Sequence, residues 1–178
     1  MKKHHILRLA GLLFVGTFLV PGWSEGQTAS GEEAFSSPEG LVRGLYAAVS
    51  FGPDKPADWG YVRKFFLPEA VIVVRKTRTT MEVQNLDMFI QWFEDDAKKF
   101  KMDEKGFEET IEKLKLTVFG DTAHCFVVYK ARLKTPPDSP GQYGLDSWSL
   151  VRKDGRWWFA SITNDVVTPQ RPLPEELS

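Results

Sequence analysis

The sequence predicts an α+β domain, with helices in its first half and a twisted antiparallel sheet in its second. Three observations carry that expectation. Apolar residues recur at helical spacing between residues 38 and 100, two hairpin turns stand at Gly120-Asp121 and Asp154-Gly155, and the apolar content suffices for one core. The chain has 178 residues, 42% hydrophobic and 13% aromatic, which favours a single domain over two starved ones. Its 23 Lys and Arg stand against 24 Asp and Glu, so no basic excess exists to draw a phosphate backbone, and nucleic acid is not expected as a partner. The local cluster of Arg75, Lys76 and Arg78 reads as a solvated turn.

Residues 1–26 read as a signal peptide. Lys2 and Lys3 open it, residues 6–20 are nearly all apolar, and Pro21 closes the run. About fifteen apolar residues fall short of the roughly twenty that cross a bilayer, so the segment is expected to be cleaved. The mature protein is then expected in the periplasm of a bacterial cell or outside it, with no membrane span. Small residues at several spacings leave the cleavage position open. Residues 27–36, rich in Gly, Ser, Glu and Thr, are expected to be a flexible leader.

The folded domain is expected over residues 37–168. Ser36 or Ser37 before Pro38-Glu39 caps a first helix, on which Leu41, Leu45, Ala48 and Val49 share a face until Gly52-Pro53. Residues 56–66 read as a second helix with Asp58 as cap and Trp59, Val62, Phe65 and Phe66 on one side. Residues 70–74 read as a strand paired with a weaker one at 79–83. A third and longest helix starts at Asn85 or Asp87 and carries Met88, Phe89, Trp92, Phe93 and Phe100 opposite Asp95, Asp96, Lys98 and Lys99. Two hairpins follow, 110–118 with 123–133 and 143–152 with 157–166, separated by an irregular loop at 135–141 that holds Pro136, Pro137 and Pro140. The Pro-rich tail, 169–178, is expected to trail.

Three helices followed by a sheet ending in Ser147-Trp148-Ser149-Leu150-Val151-Arg152-Lys153-Asp154-Gly155-Arg156-Trp157-Trp158-Phe159-Ala160-Ser161 resembles the nuclear transport factor 2-like superfamily, over residues 37–168. The resemblance implies a cone: a curved antiparallel sheet wrapped around the helices, a pocket at the wide mouth, and dimerisation through the outer sheet face. The superfamily holds ketosteroid isomerases, polyketide cyclases, dehydratases, transport factors and members without known activity, so it leaves function open.

Counting outward from the turns gives a register. From Asp154-Gly155, Arg152 faces Trp157, Leu150 faces Phe159, Trp148 faces Ser161 and Asp146 faces Thr163, all toward the helices. From Gly120-Asp121, Leu116 faces Cys125, Leu114 faces Val127 and Glu112 faces Tyr129 on the same side. The expected ligand pocket is therefore lined by Glu112, Tyr129, Asp146, Trp148, Ser161 and Thr163, with Trp59 and Tyr61 closing the mouth. The opposite side, with His124, Phe126, Val151, Trp158, Ala160 and Ile162, is too apolar for plain solvent and is the expected dimer face. A bulge would move His124 inside.

Asp146 and Glu112 are the candidate catalytic residues. A carboxylate among aromatic rings acquires a raised pKa and can exchange protons with a bound molecule, although acidic residues near strand ends mostly bond neighbouring hydroxyls or face water. Cys125, in an apolar run and the only cysteine, reads as a packing residue. No phosphate loop, HExxH, GxSxG or metal-spaced Cys and His pair is present, so neither cofactor nor metal is expected. The leading expectation is an exported small-molecule-binding domain. The alternatives are a cofactor-independent isomerase, dehydratase or cyclase, and a protein-interaction module acting through the outer face.

Overall fold

The computed structural model describes residues 33–178. The expected signal peptide and residues 27–32 of the leader lie outside the described residues. The remainder of the leader does not hang free. Residues Glu33–Phe35 form a 3-10 turn whose Ala34 and Phe35 join the core, so the folded part begins before Ser37.

Helix α1 (Pro38–Val49) starts where its capping chemistry dictates. The Ser37 hydroxyl accepts from the Gly40 N–H, and Pro38 fills the first helical position, where no donor is needed. Leu41, Val42, Leu45, Tyr46 and Val49 form its buried stripe. Helix α2 (Trp59–Val62) is capped by Asp58 and is only one turn long before Arg63–Phe65 tightens to 3-10 geometry. The chain then passes directly into strand β1 (Phe66–Arg75), so the expected helix ends earlier and the expected strand begins earlier. Pro68 is tolerated inside β1 because pairing with the neighbouring strand is interrupted between Phe66 and Val71.

Strand β2 (Met81–Gln84) pairs with β1 as expected. Asn85 caps helix α3 (Leu86–Lys99), whose sheet-facing residues are Leu86 and Ile90, with Phe89 and Trp92 packed against them. Met88 and Phe100, expected on the apolar stripe, are instead half exposed. A short helix α4 (Met102–Lys105) precedes the long strands β3 (Phe107–Phe119), β4 (Thr122–Leu133), β5 (Gln142–Lys153) and β6 (Arg156–Val166).

The six strands form one curved, unclosed sheet in the order β2-β1-β6-β5-β4-β3. All neighbours are antiparallel except β1 and β6. Both tight hairpins form where expected. Asp154 and Gly155 take the left-handed conformation that a type I′ turn requires, with φ of 53° and 79°.

The core lies between the helices and the concave face. Leu41, Phe65, Ile72, Leu150 and Phe159 are fully enclosed there, each contributing about 1.5–3 kcal/mol of hydrophobic stabilisation. Gly44 lets α1 approach Phe65, since a Cβ there would stand 3.0 Å from the ring. At the tip, the Arg156 guanidinium is sandwiched between the rings of Phe35 and Trp158, at 3.7 and 3.8 Å.

The tail does not trail. Arg171 reaches Asp165, Leu177 is buried, and Lys113 on β3 donates to the Ser178 carbonyl at 2.8 Å. The prolines stop regular structure in the tail without preventing its docking.

Candidate functional site

Two β-bulges decide which side chains meet under the helices. In β3 the register steps between Ile111, opposite Tyr129, and Lys113, opposite Val128. Glu112 is the extra residue; it is exposed and accepts a hydrogen bond from Thr110. This corrects its expected place in the pocket. Beyond the bulge Ile111 and Glu109 come to the inner side, opposite Tyr129 and Ala131. In the second hairpin Leu150 pairs with Phe159 but Ser149 pairs with Ser161, so Ala160 is extra.

That second step inverts the far half of β6. Trp148 pairs with Ile162 and Asp146 with Asn164, while Ser161 and Thr163 pair with Ser149 and Ser147 on the outer face. Ser161 and Thr163 are thus removed from the expected pocket, and Ile162 from the expected dimer face. Asp146, Trp148 and Tyr129 lie where expected, at 5%, 3% and 6% exposure. Neither Trp59 nor Tyr61 closes the mouth. Trp59 packs edge-on against Phe93, and Tyr61 against Phe65. From α2 it is Val62 that lines the interior.

The inner side encloses a cavity of about 880 Å³, within the range of sites that enclose small organic molecules. Its walls are largely apolar and aromatic: Leu45 and Val49 from α1, Phe66, Ile72 and Val74 from β1, Phe89, Trp92 and Phe93 from α3, and Phe107, Trp148 and Ile162 from the sheet. Arg75, Lys76, Asp96, Lys99 and Gln142 add polar groups to the lining.

Within this apolar wall stands a polar cluster that joins a helix to three strands. The Tyr46 hydroxyl donates to Asp146 Oδ2 in a short hydrogen bond. Asn164 Nδ2 donates to Asp146 Oδ1 at 2.7 Å and lies 2.8 Å from the Tyr129 hydroxyl. Gly144 makes the cluster possible, because a Cβ at that position would overlap the Tyr129 ring. The Trp148 indole N–H is buried beside the Tyr46 hydroxyl without a hydrogen bond of its own among the described residues.

Burial pushes the Asp146 carboxyl up to about 6, against the opposing effect of the hydrogen bonds from Tyr46 and Asn164. Burial, reinforced by the charge of Asp146, pushes Glu109 up to about 8. Glu109 keeps part of its surface accessible where it lines the cavity. Desolvation, followed by the charge of Asp146, also raises Tyr46 and Tyr129 well above the ordinary phenol range.

Cys125 is buried, and its thiol is pushed up to about 12, which makes it the packing residue expected and a poor nucleophile. His124 remains outside, 3.0 Å from the Ser147 hydroxyl and edge-on to Phe126. Val151 and Trp158 share the outer face with it.

Sequence reasoning missed Tyr46, Glu109 and Asn164. Tyr46 follows Leu45 on the α1 stripe and read as plain helix. Glu109 and Asn164 enter only through the bulges, which no residue type marks.

No family model matches the sequence, and no curated protein matches it. Solved structures do resemble the fold. One is a nuclear transport factor 2-like protein with a cystatin-like fold from Novosphingobium aromaticivorans, 13% identical, covering 64% of this chain and 73% of its own with a TM-score of 0.52. Another, from Xanthomonas campestris, is provisionally named a calcium/calmodulin-dependent protein kinase II association domain; it is 16% identical, covers 74% and 86%, and has a TM-score of 0.56. A third, from Shewanella frigidimarina, provisionally named a ketosteroid isomerase, is 18% identical, covers 78% and 97%, and has a TM-score of 0.52. With its helices held in the concavity of a six-stranded curved sheet, this chain has the nuclear transport factor 2-like fold.

Proposed function

We propose that this protein binds a small, mostly apolar molecule inside the cavity, with the polar part of that molecule turned toward Glu109 and Asp146. The observation that carries the reading is the combination of about 880 Å³ enclosed by aromatic and aliphatic walls with one localised polar cluster. Apolar walls supply affinity and a few convergent polar groups supply orientation. The test is titration with the neutral fluorophore N-phenyl-1-naphthylamine, expected to bind one per chain at about micromolar Kd. Ala131 lines the cavity and is only partly buried. Ala131→Trp is expected to abolish the signal while leaving the circular dichroism spectrum unchanged. Absence of binding to the wild type, or binding unaffected by the filled cavity, overturns the proposal.

A second reading, proton transfer on the bound molecule, is favoured by one specific observation. Two carboxyls face the same cavity with pKa values pushed to about 6 and about 8, where an acid and a base coexist near neutrality. Deuterium uptake from D2O into 4-phenyl-2-butanone, followed by NMR, tests it. Catalysed uptake lost in Asp146→Asn supports proton transfer, and uptake at the buffer rate counts against it.

Two wider proposals accompany these. Export to the periplasm or beyond is supported by the basic start and the apolar run at residues 6–20, and N-terminal sequencing of the secreted or periplasmic fraction checks it. Self-association through the outer face is supported by His124, Phe126, Val151 and Trp158 lying there together. The association-domain name of one similar structure points the same way. Light scattering of Phe126→Glu against the wild type checks it.

A further inference from the structure

We propose that the molecule held in the cavity carries a protonated amine, seated between Glu109 and Asp146 and surrounded by aromatic rings. The inference rests on the cavity reading above and names the class of ligand.

Glu109 lines the cavity, yet its carboxyl has neither a hydrogen-bond donor nor an ion-pair partner among the described residues, although its own backbone is fixed by Ser50. Asp146, 5% exposed, receives donors only from the neutral groups of Tyr46 and Asn164. The cations of the lining are engaged elsewhere. Arg75 lies 2.7 Å from Asp165, Lys76 3.5 Å from Glu82, and Lys99 over the Phe100 ring at 4.9 Å. Among the described residues neither acidic side chain is in ion-pair contact with a cation, an arrangement costly for a buried carboxylate and reversed when a cation arrives. The rings of Tyr46, Phe66, Phe107, Tyr129 and Trp148 border the same space, and their negative faces favour a cation over an anion. Burial raises the pKa of both carboxyls, and the charge of Asp146 adds to the effect at Glu109. An anionic ligand seated there would place a further negative charge beside Glu109 and Asp146.

The test uses three molecules with one carbon skeleton: 4-phenylbutylamine, 4-phenylbutan-1-ol and 4-phenylbutyrate, measured by calorimetry at pH 7.5. The amine is expected to bind about tenfold more tightly than the alcohol, with the butyrate weakest. Glu109→Gln is expected to lower amine affinity about tenfold and leave that of the alcohol unchanged. In the wild type, moving to pH 5 protonates the two carboxyls and should weaken the amine but not the alcohol, a readout that needs no variant to fold. The other ionisable groups bordering the cavity are Tyr46, Tyr129, Arg75, Lys76, Asp96 and Lys99. Equal or tighter binding of the alcohol or the butyrate overturns the inference and leaves the cavity reading standing. Failure of all three probes while N-phenyl-1-naphthylamine binds also overturns it. Failure of every probe brings down the cavity reading as well.

Discussion

The concave face of this sheet has two ends built from the same strands, and they differ in kind. Toward the hairpin tips Cys125, Leu150, Trp157 and Phe159 are buried in one core with the Phe35–Phe65 ring pair. Away from the tips, past the bulges at Glu112 and Ala160, the same strands present Glu109, Asp146, Ile162 and Asn164 to an open cavity. One end spends its side chains on stability. The other leaves room, and holds carboxyls that a packed core would not tolerate without partners. The bulges mark the border between the two.

The largest expected effect breaks the packed end. Phe159 is fully buried, 4.1 Å from Trp148 and 5.4 Å from Phe66 between ring centroids. Phe159→Ala should cost about 3–5 kcal/mol in urea denaturation. A loss below about 1 kcal/mol would mean that this end is as hollow as the other.

Removing the Tyr46 hydroxyl comes next. Tyr46→Phe takes from Asp146 a hydrogen bond that opposes its burial. The variant should lose about 1–3 kcal/mol at pH 8. Because that bond favours the charged form, the Asp146 carboxyl should move further up, a shift that NMR titration of the side chain reads directly.

Stability should also depend on pH in an unusual direction. Asp146 and Glu109 have folded-state pKa values above those of the unfolded chain, so between about pH 4 and pH 8 the folded state holds more protons and stability falls as pH rises. Denaturation at pH 5 should show an advantage on the order of 2 kcal/mol over pH 8. Asp165, held low mainly by its hydrogen bond from Arg75, acts in the opposite sense, but its window lies below about pH 4. A flat profile from pH 5 to 8 would mean that the carboxyls are solvated.

The smallest effect sharpens the border. Glu112, at one bulge, and Thr163, beyond the other, are exposed, so Glu112→Ala and Thr163→Val should each change stability by less than about 0.5 kcal/mol. Neither should alter probe binding.

Much of this architecture was legible in the sequence, and the illegible part has a definite physical origin. Ser37-Pro38 and Asn85 fixed two helix starts because capping is local chemistry, and Asp154-Gly155 fixed a turn because two left-handed residues are needed there. Alternation from each turn placed Leu150, Trp148, Asp146, Cys125 and Tyr129 on the inner side, where they lie. It failed for Glu112, Ser161, Thr163 and Ile162 because one extra residue in a strand inverts everything beyond it on that strand. Bulges answer to the curvature of the whole sheet, and neither Glu112 nor Ala160 announces one. The tail and residues 33–36 were misread for a related reason. Composition reports whether a segment can fold alone, whereas Phe35 and Leu177 are buried by what they dock against.

The far half of β6 has turned over, so that Ile162 faces the cavity and Thr163 the outside. Titration of N-phenyl-1-naphthylamine into Ile162→Trp and Thr163→Trp, both checked as folded by circular dichroism, tests this most directly. Binding lost in Ile162→Trp and kept in Thr163→Trp is the predicted result. Binding kept in Ile162→Trp and lost in Thr163→Trp would contradict it.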